Sequence, residues 1–272
     1  SHYHAIMPPL LGSTAWVACV GTASSIVAGT TLSLAVGQSG VSAGSTLIIR
    51  VAHSYTAGAP TIVDSRGNTY TRDHTSPNSS ATMRASLFSA QINTSLRPGD
   101  TIYMTTSAST AVKVMVVDQF SGVLFGASLD VKNSTSHAGS VTPGTTIPIT
   151  TTNSDDLLIG FTAVLGPLSE LYTEDTVEAW KSLTRNGTTG GASNITVNSA
   201  YQTTGATGTH LYRPTLGTSE SWIEIIVAYK AGISTPTPLP TGSVSHIQTV
   251  GSVASQTNGN TLTIIVPSGG VL

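Results

Sequence analysis

At 272 residues the chain is long enough for one large domain, and a net charge of −2 with only 9 % charged residues excludes the basic surface a nucleic-acid partner requires. Ser and Thr make up roughly 29 % of it, yet 39 % is hydrophobic, enough to build a core, which excludes a disordered Ser/Thr-rich chain. No apolar stretch reaches the roughly 20 residues of a membrane-spanning helix, and the lone Cys19 excludes an internal disulfide. Flanked by Trp16, Val17, Ala18 and Val20, that cysteine reads as a buried, inert thiol.

Residues 1–12 read as an irregular N-terminal arm ending near Pro8-Pro9, without the basic and apolar regions of a signal peptide. Short runs with period-two alternation follow. Leu32, Leu34 and Val36 point one way, as do Leu47, Ile49 and Val51. Further strands are predicted at 61–63, 68–72, 83–90, 101–106 and 112–120, then at 145–151, 157–163, 176–183, 195–202 and 222–230. Turn signals separate them: Asp64-Ser65-Arg66-Gly67-Asn68, Arg97-Pro98-Gly99-Asp100, Thr142-Pro143-Gly144 and Gly190-Gly191. The nearly continuous apolar runs 112–117 and 223–227 predict central strands covered on both faces, and 166–175 a loop or short helical turn. About a dozen strands without an amphipathic helix predict an all-β, two-sheet, jelly-roll-like sandwich over residues 13–231.

Residues 232–243, with Pro236, Pro238 and Pro240, read as a stiff polyproline II linker. Residues 244–272 then repeat the start of the module. Val20, Gly21, Ser25, Gly29, Thr31, Leu32, Val36 and Gly40 recur 230 positions later as Val250, Gly251, Ser255, Gly259, Thr261, Leu262, Val266 and Gly270. A fixed period of this density marks tandem modules, of which the second is incomplete. One hairpin buries too little surface to fold alone. Three arrangements fit: a longer chain continuing past Leu272, strand addition to a neighbouring subunit through Val250, Leu262, Ile264 and Val266, or packing back on the first module.

Several segments carry a family likeness. They are Gly44-Ser45-Thr46-Leu47-Ile48-Ile49, Asp64-Ser65-Arg66-Gly67-Asn68-Thr69-Tyr70-Thr71 and Asp118-Gln119-Phe120-Ser121-Gly122-Val123. Asp155-Asp156-Leu157-Leu158-Ile159-Gly160 and residues 222–230 complete the set. Across most of residues 29–230 the chain resembles a β-sandwich module that recurs in phage virion proteins and bacterial surface proteins. These are strand and turn signatures, so the resemblance implies a fold and an architectural role and transfers no catalytic residue.

No motif for nucleophilic catalysis, zinc proteolysis or phosphate binding is present, and no catalytic, cofactor or metal residues are assigned. His2 and His4 are too few for a closed metal site, and His53, His74, His137 and His210 read as loop or surface hydrogen-bonding groups. Asp64-Ser65-Arg66-Gly67-Asn68 lacks the ligands of a calcium loop; Gly67 instead fits the positive φ of a turn. Asp155-Asp156 reads as a solvated turn rather than half of a carboxylate pair. The five Asn-x-Ser/Thr sequons, at Asn78, Asn93, Asn133, Asn186 and Asn194, are what so much Ser and Thr produces by chance. Tyr55, Tyr172, Trp180, Tyr201 and Tyr212 are the candidate glycan-facing aromatics.

The sequence therefore predicts a non-enzymatic virion component, a phage capsid decoration or fibre/tail protein. It would assemble in the host cytoplasm with other subunits as a homo-oligomer, without cofactor, nucleic acid or membrane insertion. The alternative is a bacterial extracellular adhesin or filament subunit that binds surface glycans.

Overall fold

The computed structural model describes residues 13–77, 82–143 and 147–232, together with the backbone of 254–258 and 261–265. The first half of the module runs β1 (Ala15–Ser25), β2 (Gly29–Ala35), β3 (Thr46–Ser54), β4 (Thr61–Asp64), β5 (Thr71–Pro77), β6 (Met83–Gln91), β7 (Thr101–Thr110) and β8 (Lys113–Ser121). The second half adds β9 (Leu129–Ser140), β10 (Ile149–Thr150), β11 (Leu157–Val164), β12 (Tyr172–Thr173), β13 (Lys181–Ser182) and β14 (Asn186–Gly187). It ends with β15 (Thr196–Thr203), β16 (Thr209–His210), β17 (Thr215–Leu216) and β18 (Glu220–Tyr229). A 3-10 turn at Tyr55–Ala57 is the one helical element among the described residues.

Three antiparallel sheets form stacked layers. The middle sheet has the order β1-β8-β3-β6-β5; one face meets the three-stranded sheet β2-β7-β4, the other the sheet β13-β15-β11-β18-β9. Alternation along β3 shows how the sequence directs this. Leu47, Ile49 and Val51 join Leu32, Leu34, Ile62, Ile102 and Met104 in one core. Ile48 and Ala52 face the other way, against Ile159, Phe161, Val197, Ile225 and Val227. A strand apolar on both faces must be covered on both, which explains the unbroken runs in β3 and β8. The expected all-β sandwich is present, and the structure adds a third layer that the period-two pattern alone does not count.

One charged pair interrupts the second core. Arg50 of β3 and Asp118 of β8 are fully buried and ion-paired, and the Trp16 Nε1–H donates to the same carboxylate at 2.8 Å. Each charge sits inside an apolar run, so neither finds water; each compensates the other. The Lys113 ammonium is likewise held by backbone carbonyls of Val27, Gly29, Thr110 and Ala111, pinning the β1–β2 connection.

The Asp64–Asn68 turn forms, with Gly67 at φ 76°, but it crosses between sheets instead of closing a hairpin. Asp64 Oδ1 accepts the amides of Arg66 and Asn68, and its Oδ2 accepts the Tyr70 hydroxyl at 2.8 Å. Asn68, buried, accepts the amides of Asn93 and Thr94. These bonds hold the amides of Arg66 and Asn68 and the Tyr70 side chain in the turn, and the strand expected from Asn68 starts at Thr71. The strand expected over 176–183 shrinks to Lys181–Ser182 for a similar reason: the Val177 amide donates to Asp175 Oδ1 at 2.8 Å, a local side-chain bond that displaces a ladder bond.

Residues 13–232 form one compact unit. The N-terminal arm, the linker from 233 onward, Val250 and Val266 lie outside the described residues. In the repeated segment, β19 (Ala254–Asn258) pairs antiparallel with β20 (Thr261–Ile265), which contains Leu262 and Ile264. The residues 230 positions earlier are arranged differently: those matching β20 lie in β2, which pairs with β7, while those matching β19 cover only the last two residues of β1 and the turn after it.

Candidate functional site

Polar side chains converge most densely on the outer face of the third sheet. In register across β15, β11 and β18, Asn198 faces Thr162, which faces Glu224. All three are buried. This row separates two apolar clusters, one built on Leu158, Trp180, Tyr212 and Ile226 and the other on Val164, Leu216 and Trp222. Among the described residues, neither carboxyl oxygen of Glu224 nor the amide of Asn198 has a hydrogen-bond partner. Burial pushes the Glu224 carboxyl well above the usual carboxylate range, and the nearby charge of Asp175 adds to the effect. Burial therefore favours the protonated form of Glu224.

Two tyrosines roof the row. Their hydroxyls touch each other, and Tyr172 also reaches Glu174 Oε1 at 3.5 Å. Burial raises both phenols and the Glu174 carboxyl. The Tyr212 ring lies flat on Gly160, where an added Cβ would stand 2.4 Å from the ring. Only glycine lets the roof come this close to the sheet. Trp180 packs 4.8 Å from Tyr212 and donates its Nε1–H to the Leu211 carbonyl.

Carboxylates latch the covering loops. Asp175 Oδ2 accepts the Arg213 amide at 2.8 Å, and Glu178 Oε1 accepts the Leu211 amide at 3.0 Å. Glu170 takes both the amide and the hydroxyl of Thr218, at 2.9 and 2.7 Å. The Arg213 guanidinium bridges Asp175 and Glu178, which also accepts from Gln202 and His210. Acids of the 166–183 loop thus capture backbone donors of the 208–218 loop, supplying the bonds that two-residue strands such as β12, β16 and β17 do not make.

A second convergence lies at the end of the same sheet. Asp156, fully buried at the start of β11, is raised to about 7, first by burial and then by the Asp130 carboxylate beside it; Lys230 opposes this and Asp155 adds to it. For Asp130, burial acts to raise the pKa, but the Thr152 hydroxyl and amide outweigh it and the net shift is downward. With no donor among the described residues reaching Asp156, a proton carried by Asp156 and shared with Asp130 satisfies the pair. The solvated-turn expectation for Asp155-Asp156 is corrected. Asp155 does turn, at φ 62°, but Asp156 is half of a carboxyl pair whose partner lies across β18.

The histidine expectations also need correction at one position. His53 sits fully buried in β3, its Nδ1 2.8 Å from the Ser54 carbonyl, and burial lowers it to about 4 against the opposing effect of that carbonyl. His74 bonds the Ser134 hydroxyl, and His137 stacks on Trp222. His2 and His4 are outside the described residues. Among the described residues no three His, Cys, Asp or Glu side chains are grouped to hold a metal. No helix of the described residues is long and apolar enough to cross a membrane.

The five aromatics proposed to face a glycan do not form a platform. Tyr212 and Trp180 are buried in the outer cluster, because Gly160 and the loop latches draw them onto the sheet. Tyr172 is half-buried beside them. Tyr201 lies edge-on to Phe120 at 5.6 Å on the sheet's inner face, and Tyr55 lies apart under the Arg84 guanidinium at 4.9 Å. Comparison with protein-family models, with curated proteins and with solved structures found no match in any of the three.

Proposed function

We propose that the chain is a non-enzymatic structural component of a virion, a capsid-decoration or fibre/tail protein with serially projecting modules. One observation carries this reading: the acids that converge are buried or turned onto the protein's own loops. Glu170, Asp175 and Glu178 hold backbone donors, Asp156 holds Asp130, and the Asn198–Thr162–Glu224 row is shut beneath Tyr172 and Tyr212. Catalytic acids must meet a substrate; these meet loops. Directed bonds from acids to loop amides instead rigidify a fold. The repeated opening strands support serial modules and assembly with further copies. Electron microscopy of the native assembly, labelled with an antibody to residues 13–232, is expected to place label at regular intervals on a particle or fibre. Label confined to free monomers would overturn the proposal.

The second reading, a cell-surface adhesin that binds glycans, is favoured by a separate feature, a hydroxyl- and amide-lined cleft on the middle sheet.

A further inference from the structure

The face of the middle sheet that meets the third sheet changes character where the third sheet stops. Along β6 this face carries Met83, Ala85 and Leu87, all in the core, then Ser89 and Gln91, followed by Asn93 just beyond the strand. The adjacent chain contributes Thr69, Thr71 and Asp73 in step with them, Thr71 opposite Ser89. Residues 126–129 wall this polar floor, leaving a cleft of about 350 Å³, at the small end of the roughly 300–1,000 Å³ typical of ligand pockets.

The lining is built, not merely exposed. Gln91 is fixed at both ends: its Nε2 donates to the Leu124 carbonyl, and its Oε1 accepts the Gly126 amide at 2.7 Å. Asp73 sits at a register shift in β5 and accepts the buried Tyr229 hydroxyl at 2.6 Å. Burial raises its carboxyl, while Tyr229 and Ser89 hydrogen-bond to it and oppose that shift. Those two hydroxyls take part of its accepting capacity, the Lys132 ammonium acts on it from alongside, and no Lys or Arg is among the described residues that line the cleft to attract an anion. Thr69, Thr71 and Asn93 are exposed, and each side chain offers both a donor and an acceptor. Phe125, 44 % exposed, stands on the wall loop next to Gly126. Hydroxyl and amide groups of both polarities, set beside the single Asp73 carboxyl, complement a ligand that is itself a dense array of hydroxyls.

We propose that this cleft binds a neutral saccharide, with Thr71 and Asn93 as direct hydrogen-bonding residues and Gln91 holding the wall in place. The inference deepens the adhesin reading and is independent of the virion reading. The test is retention of the full chain on an array of neutral and sialylated oligosaccharides, alongside the variants Thr71→Val and Asn93→Ala. Both substitutions lie on exposed positions, and unchanged thermal unfolding would certify that they fold. Retention of at least one neutral oligosaccharide is expected, weakened about fivefold by either variant, as the loss of one neutral hydrogen bond implies. No retention of neutral glycans, retention of sialylated ones alone, or retention that both folded variants leave unchanged would each overturn it. None of these outcomes alters where antibody label falls on the native assembly, so the two proposals fail separately.

Discussion

The two faces of the third sheet close by different physics. Along β11 the inward residues are Leu157, Ile159, Phe161 and Ala163, which meet the apolar face of the middle sheet. The outward residues are Leu158, Gly160, Thr162 and Val164, covered by loops whose own ladders are two residues long. Inside, closure is non-directional and scales with apolar area removed from water. Outside, it depends on a few directed bonds, from Asp175, Glu178 and Glu170 to particular amides, and on the absence of one Cβ. The first kind of closure depends on no single directed bond apart from the buried Arg50–Asp118 pair. The second fixes a single arrangement of the loops, at the cost of burying acids that must stay protonated or paired.

The largest expected effect is on the inner face. Phe161 is fully buried, so Phe161→Ala should cost about 3–5 kcal/mol through lost burial and the cavity left behind. The loss should be global, lowering the chemical-denaturation midpoint of the whole 13–232 unit. Next comes Gly160→Ala, one residue away on the other face. A methyl group 2.4 Å from the Tyr212 ring forces the roof off the sheet, at about 1–3 kcal/mol. Here the damage should be regional: amide exchange at Leu211, Arg213 and Thr218 should accelerate while Ile159 and Val227 keep their protection. Uniform acceleration across both faces would erase the distinction between them.

Legibility in the sequence divides along the same line. The inner core was readable because β3, β8 and β18 announce it with apolar runs, and Gly67 was readable because a positive φ demands it. The outer closure was not, since its partners lie far apart: Glu178 meets Leu211 and Asp130 meets Asp156 only once β9, β18 and β11 are side by side. A signal did exist for the buried charges. Glu224 lies between Trp222 and Ile226 at period-two spacing, so alternation places it on a covered face. Arg50 and Asp118 interrupt apolar runs with opposite signs, which is how a buried ion pair looks in a sequence. Trp180 and Tyr212 were not legible as one cluster, because Gly160, which seats the Tyr212 ring, lies far from both in the chain.

The carboxyl pair sharpens the comparison with the smallest effect and the clearest sign. Asp156 titrates at about 7 in the folded protein against roughly 3.9 for a free aspartate, so between those values the folded state binds a proton that the unfolded state has released. Its contribution to stability is fully present below the unfolded value and is lost as pH rises through about 7. Asp130 moves oppositely: its pKa is lowered, so its contribution is present above the ordinary aspartate value and fades only in acid. Asp155 and Lys230 also face the pair, the first favouring the protonated form of Asp156 and the second opposing it. Raising pH from 5 to 8 should therefore weaken the wild-type protein by about 1–2 kcal/mol through this pair, less than the full shift implies because Asp130 and Lys230 are half-exposed and solvent screens them. Asp156→Asn replaces the shared proton with an amide that can donate to Asp130 at any pH. The variant should match the wild type near pH 5 and exceed it above pH 7 in urea midpoints measured across that range, while Phe161→Ala should keep the same deficit relative to wild type throughout. A parallel decline of wild type and Asp156→Asn would mean that no proton is held between the two carboxyls.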